Sequence, residues 1–420
     1  MKKNGRDNRT YVKPVTRIEL SEQNIKLRWI LIVVLLAVAV VAILTGLTSL
    51  LNTEPGWQEV EASTDQANCS GDFTLMYDFS DSGSGATAQF KQLSSLYSDA
   101  AIAAYRIFTP DVLEEGLNNV AYLNAHVGES VTVDDALYKA LSLVVEYGNR
   151  HVFLAPAMVE YNRMFLCEND AEAALYDPTR NGETAQWLAE LANYVSNPEM
   201  IHLELLGDNR VRLNVSDAYL AFAGENGIET FLDFGWMTNA FIADYLADVL
   251  TENGFTNGYL SSYDGFTRNL DSRGQSYSFN IFDRQEGEVN IPARLQYDEP
   301  MSIVFLRNYP LSERDRWHYY AFESGEIVTA MLNPGDCMSS SATDNLVSYS
   351  SKAGCAEILM RIVSLYTAQE LDTGAVNALT ADGIHSIWCE GTALNYNDAD
   401  LVLEHLTDNG GDQYSLEQVN

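Results

Sequence analysis

Between Trp29 and Leu51 the chain has no charged residue, and Ile30 to Leu44 is apolar without interruption. A helix rises ~1.5 Å per residue, so this stretch is long enough to cross a ~30 Å hydrocarbon core and reads as a transmembrane anchor. The flank before it holds eight basic residues against three acidic ones. That excess predicts a cytoplasmic basic tail over residues 1–28, an anchor over 29–51, and everything beyond on the extracellular or periplasmic side. A cleaved signal peptide has a shorter apolar region and a shorter polar flank, so the anchor is expected to persist.

Past residue 51 the charge inverts. The remaining 17 basic residues face 56 acidic ones, a formal balance of −39. Such a surface repels nucleic acid and anionic lipid, and an anionic ligand needs local positive compensation. No nucleic-acid partner is therefore expected, and the membrane is engaged through 29–51. Five cysteines, Cys69, Cys167, Cys337, Cys355 and Cys389, form no CxxC, which argues against a zinc or thioredoxin-type site. The six histidines show no HxH or HExxH spacing.

Residues 52–71 are polar and aperiodic and read as a tether, leaving 72–420 as one large domain. Within it, "FTLMYDF" reads as a strand and residues 86–107 as a helix. A second helix is expected from Thr132, with Asp135 completing a capping box, Leu137, Leu141, Val144 and Val145 facing the core, and Gly148 ending it. Alternating Leu203 and Leu205, a Gly207-Asp208-Asn209 turn, then Val211, Leu213 and Val215 predict a hairpin. Further strands are expected at 257–263, 276–282, 301–307 and 345–350, and helices at 238–252 and 354–369. Hairpins interleaved with helices indicate an α+β fold.

Asp233-Phe234-Gly235 spells the magnesium-binding tripeptide of protein kinases, but no Gly-rich phosphate loop, strand lysine or His-Arg-Asp accompanies it. With its flanks, "LDFGWMTNAFIADYLADVLTENGFTNGYLSSYDGFTR" resembles a segment of the bacterial FAD:protein FMN transferases, the ApbE family. That segment reads Asp-x-Gly-Gly-x-x-Lys-Gly-Tyr-x-x-Asp, then a helix, then a strand ending in Gly-Gly-Asn. "EIVTAMLNPGD" is similar to the family's His-x-x-Asp-Pro loop, and "NLVSYSSKAGCAEILMRIVSLY" to the strand and metal-binding helix after it. The resemblance spans roughly residues 72–395 and rests on the order and spacing of these motifs. It implies the α+β flavin-transferase fold, FAD and FMN as ligands, magnesium as cofactor, and FMN transfer to a threonine or serine of a partner protein.

The residues that would perform this chemistry differ. Asp233 and Gly235 are kept, but Trp236 stands at the second glycine and Asn239 at the lysine, where it brings no positive charge to a phosphate. "VTVDDALYKALSLVVEYGNRHVFLAPAMVEY" resembles the helix leading to the family's Gly-x-Phe-Asp-x-Thr-x-x-Pro, whose Phe-Asp is Arg150-His151 here, and Gly-Gly-Asn becomes Tyr263-Asp264-Gly265. The loop presents Ala330 and Asn333 in place of His and Asp, and alanine cannot accept a proton. Glu357 and Arg361 occupy the metal-helix aspartate and threonine, and a guanidinium does not ligate magnesium. The resemblance thus implies a pocket of Asp233, Gly235, Asn239, Asp264, Asn333 and Arg361. Two readings of Arg361 follow: an ordinary ion pair with Glu357 one helical turn away, or a guanidinium standing where the metal would be and gripping a pyrophosphate. The frame also brings Cys337 near Cys355, within reach of a disulfide.

Without a base and a metal, the expected protein is a pseudoenzyme, kept for binding a flavin nucleotide or a protein. The alternative is an active, metal-dependent FMN transferase using Asp233 and Glu357 as metal ligands. A third possibility is a purely structural domain, its pocket closed by Trp236 and Tyr263.

Overall fold

The computed structural model describes residues 55–406 and 413–419. The basic tail and the expected anchor at 29–51 lie outside the described residues. Among those described, no helix is long and apolar enough to cross a membrane.

Seventeen strands alternate with helices along the described chain: β1 Trp57–Glu59, β2 Phe73–Asp78, β3 Val131–Thr132, β4 Ile201–Gly207, β5 Arg210–Val215, β6 Gly258–Ser262, β7 Phe266–Asn269, β8 Tyr277–Gln285 and β9 Glu288–Tyr297 lead to the central β10, Met301–Arg307. Then follow β11 Tyr319–Ala321, β12 Ile327–Thr329, β13 Asn345–Ser350, β14 His385–Glu390, β15 Ala393–Tyr396, β16 Val402–His405 and β17 Ser415–Gln418. Nine of them form one sheet in the order β1-β2-β6-β7-β10-β13-β14-β15-β17. All its pairings are antiparallel except β15 with β17.

Every residue of β10 is buried, because both faces of the sheet are covered. Successive side chains on a strand point to opposite faces. Val304 and Leu306 accordingly join the core under the helices Ala86–Phe108, Thr238–Glu252 and Cys355–Tyr366. Ile303 and Phe305 face the other way, onto Ile281, Ala293 and Leu295 of a separate β16-β9-β8 sheet. The expected hairpin is β4–β5, closed through Asp208 and Asn209 in the left-handed region at φ 50° and 56°.

Three expectations are corrected. Residues 57–71 are part of the domain rather than a tether, since β1 pairs with β2 and Val60 and Cys69 are buried. The second helix runs Asp135–Glu146 and is capped by Asp134, whose carboxylate accepts the N–H of Ala136; Thr132 lies on β3, and Val145 faces solvent at 39 % exposure. All five cysteines are free. The Cys355 thiol donates to the carbonyls of Thr267 and Ile303, under the sheet and away from the loop that holds Cys337.

Candidate functional site

The Asp-Phe-Gly segment is a helix entrance. Asn124 clamps it from outside, its side-chain oxygen accepting the N–H groups of Phe231 and Leu232 while its amide donates to the Leu232 carbonyl. Phe234 is buried between Phe108 and Phe241, with ring centroids 5.5 and 4.6 Å away. The Asp233 carboxylate accepts the N–H of Gly235 at 2.9 Å. Burial raises its pKa, and that hydrogen bond opposes the rise. Gly235 sits at φ 55°, a conformation that glycine adopts without strain.

Thr238 then opens the helix, and Asn239 in its first turn donates to the Asp264 carboxylate at 2.9 Å. Asp264 lies in the β6–β7 turn, pressed against β10. The next residue, Gly265, has φ 112°, and a β-carbon there would lie 2.3 Å from the Phe305 carbonyl oxygen. That close approach brings Arg307 beneath the turn, where its guanidinium reaches the carbonyls of Tyr263 and Asp264 at 3.4 and 3.5 Å.

Arg307 is only 2 % exposed and pairs with Asp315 at 2.7 Å. Asp315 belongs to the one-turn helix Glu313–Trp317, and its carboxylate also accepts the N–H groups of Leu311 and Ser312. A buried ion pair with these extra hydrogen bonds is one whose desolvation is largely offset.

Asp264 is less well served. One carboxylate oxygen is buried without a hydrogen-bond partner. Burial is the main force lifting its pKa to about 6; hydrogen bonds from Ser262 and Asn239 pull it back, Asp72 pushes it up and Arg307 lowers it. Asp72 is raised as well, first by burial, with Asn239 and Arg314 opposing. His318 stacks on Tyr263 at 6.4 Å, and burial holds its pKa down at about 4, leaving it neutral.

Trp236, Asp264, Arg307, His318, Tyr319 and Ala330 wall what space remains, a cavity of about 10 Å³. That is about room for one water.

The other expected site residues are engaged elsewhere. Asn333 braces its own loop, accepting the N–H of Gly335 and donating to the Thr367 carbonyl. Arg361 pairs with Asp382 at 2.5 Å and lies over the Tyr147 ring, while Glu357 accepts the Tyr147 hydroxyl. The expected Glu357–Arg361 pair is therefore replaced by Arg361–Asp382, a bridge that reaches from the helix to the surface. Arg150 caps the Gly182–Val195 helix through the carbonyls of Val195 and Asn197, and His151 is buried against Thr367.

Magnesium requires near-octahedral oxygen coordination. Among the described residues no group of three or more Asp, Glu, His or Cys side chains is arranged to hold a metal ion. Asp72 and Asp264 share the Asn239 amide, and the Arg307 charge faces Asp264, so the residues present do not fit the metal that the resemblance implies.

Three structural residues had not been singled out. Arg307 and Asp315 belong to no motif; eight residues apart, they meet because the chain turns back after β10 into the one-turn helix. Asp244 did have one, as the last aspartate of the Asp-x-Gly-Gly-x-x-Lys-Gly-Tyr-x-x-Asp frame. It accepts the N–H groups of Cys355 and Ala356, both at 2.9 Å, and pairs with Arg268 at 2.6 Å, so it caps the Cys355–Tyr366 helix.

No family model and no curated protein matches the sequence. Solved structures do. The ApbE protein of Thermotoga maritima superposes with a TM-score of 0.54 at 11 % identity, over 83 % of this chain and 96 % of that one. The chain has the fold of the ApbE flavin transferases. The flavin transferase ApbE of Vibrio cholerae gives a TM-score of 0.50 at 11 % identity, over 84 % of this chain and 97 % of that one. At such identity the likeness concerns the flavin-transferase fold alone, and it spans nearly the whole of both relatives.

Proposed function

We propose that this chain is a membrane-tethered, extracytoplasmic domain of flavin-transferase fold that no longer transfers FMN and is retained to bind a protein. The observation behind this reading is a narrow site: Trp236, Asp264 and Ala330, three positions of the motif frame, enclose with the buried Arg307–Asp315 pair a cavity of about 10 Å³. A dinucleotide needs a cleft of ~300 Å³ or more. The absence of a proton acceptor at Ala330 and of a cation at Asn239 points the same way. Arg361 is turned to Asp382 and the Tyr147 ring, an arrangement that lends no support to metal-free flavin binding.

The test is incubation of the full chain with FAD, with and without magnesium, and with a threonine-containing acceptor protein, followed by intact-mass measurement. No FMN adduct and no flavin retained after desalting are expected. Magnesium-dependent transfer of FMN would establish the alternative, an active transferase. The tethering is tested separately: protease added to intact spheroplasts is expected to degrade the acidic domain, and protection of that domain would refute the topology.

A further inference from the structure

A second concavity, which shares no lining residue with the closed site, is open. It measures about 510 Å³ and lies where the edge of the large sheet meets β8. Its size falls within the ~300–1,000 Å³ of ordinary small-ligand clefts. Aromatic rings dominate it. Trp57 of β1 lies 6.0 Å from Tyr259 of β6 and 6.1 Å from Tyr277 of β8, and Tyr277 stacks on Tyr297 of β9 at 5.7 Å. Trp57 is 39 % exposed and so open to a ligand.

One residue in five of this chain is charged, yet no charged side chain lines the cleft. Besides the tyrosine hydroxyls, its polar groups are Gln275, Ser276 and Ser278 at the rim and, deeper, Ser261 and Thr267, which bond each other at 3.0 Å; each side chain is of a type that both donates and accepts. The frame is rigid: the Tyr277 hydroxyl donates to Asp271 at 2.6 Å, and Arg273 holds that carboxylate at 2.8 Å.

We infer that this cleft binds a neutral saccharide. A pyranose presents an apolar C–H face, which packs on an aromatic ring, and a rim of hydroxyls that donate and accept like the serine, threonine and glutamine side chains here. Phosphorylated or carboxylated ligands are disfavoured, because the cleft offers no cation and the surrounding surface is strongly acidic. A proline-rich segment also docks on aromatic grooves, but its polar groups are chiefly carbonyl acceptors, which use only half of what these side chains offer. Rings already fixed by their neighbours lose little entropy on binding. This inference is independent of whether the closed site has any activity.

The experiment titrates the full chain, kept in a detergent without a sugar headgroup, with cellohexaose, chitohexaose, maltohexaose and decaproline, following tryptophan fluorescence and heat. Saturable binding of at least one oligosaccharide is expected, weakened about tenfold or more in Trp57→Ala, as for loss of an aromatic anchor. Ser278 is exposed on the rim, so Ser278→Arg blocks the cleft without touching the core, and it is expected to weaken binding while leaving the thermal midpoint unchanged. Failure of all three oligosaccharides to bind, or binding that survives both substitutions, would overturn the assignment. Binding of decaproline alone, lost in the same variants, would overturn it too and give the cleft to a proline-rich partner.

Discussion

Replacing Asp264 by asparagine is expected to stabilise the protein, and to do so more at high pH than at low. The carboxyl has a pKa of about 6 against an ordinary 3.8, with burial as the leading cause. An acid whose pKa is raised on folding binds more protons in the native than in the unfolded state between those two values. Stability therefore falls as pH rises through that window, and the cost is complete only above the folded pKa. At ~1.36 kcal/mol per unit the full cost is about 3 kcal/mol at pH 8, and integration over the window leaves about half of it at pH 5. Asparagine keeps the oxygen that accepts from Asn239 and removes the charge that creates the cost. Urea unfolding of Asp264→Asn and the unaltered protein at pH 8 and pH 5 is the assay. A gain of order 1–3 kcal/mol at pH 8, shrinking by about half at pH 5, is expected. A loss of stability at pH 8, or a gain that does not change with pH, would refute the argument that Asp264 is a buried and poorly compensated carboxylate.

Other consequences concern the scaffold. Asp244→Ala removes two N–H caps and the partner of Arg268, so a loss of roughly 3 kcal/mol or more in urea unfolding is expected. Gly354→Ala should be comparably damaging in a thermal melt, because its new β-carbon would lie 2.4 Å from the Asp244 carboxylate. Arg361→Ala, by contrast, severs a bridge to an exposed partner and should change stability by no more than ~1 kcal/mol in the same urea assay. An Ellman titration of the native protein should find one reactive thiol, Cys167. Cys69 and Cys337 are buried with pKa values pushed up to about 12, Cys355 and Cys389 are raised further by burial, and unfolding should expose all five.

The sheet and the main helices were legible because their signals are local. β10 is a largely apolar run of strand length, the β4–β5 turn has its Gly-Asp-Asn, and Gly254 follows the helix that it ends. What escaped was set by distant partners. Thr132 has the chemistry of a helix cap, but it pairs with Arg210 on β5, so the cap passes to Asp134. The polar run at 57–71 has no periodicity of its own, and it is ordered by β2, which supplies a sheet edge to pair with. The site shows the same division. The contact of Asn239 with Asp264 follows from a frame that the sequence displays, whereas Arg307 with Asp315 needs β10 and a one-turn helix to be brought together in space.

On the proposed reading, these residues account for a fold that persists without its chemistry. One kept position of the motif frame holds the architecture, Asp244, which caps a helix from another part of the chain; Gly265, standing where the family has asparagine, permits the β6–β7 turn to touch β10. Neither use requires a ligand, and substitution at either would disturb the packing directly. Positions whose use is chemical have changed to residues that pack or bond locally, with Ala330 buried, Asn333 bracing a loop and Asn239 tying down Asp264. Arg307 completes the exchange. It places a permanent guanidinium charge beside Asp264 and, through Asp315, fastens it inside the wall of the cavity. Opening that cavity to a nucleotide means separating a fully buried ion pair, a change that costs ~3–5 kcal/mol when one partner is left behind. On the proposed reading, binding energy spent on that separation is lost from the affinity for a flavin.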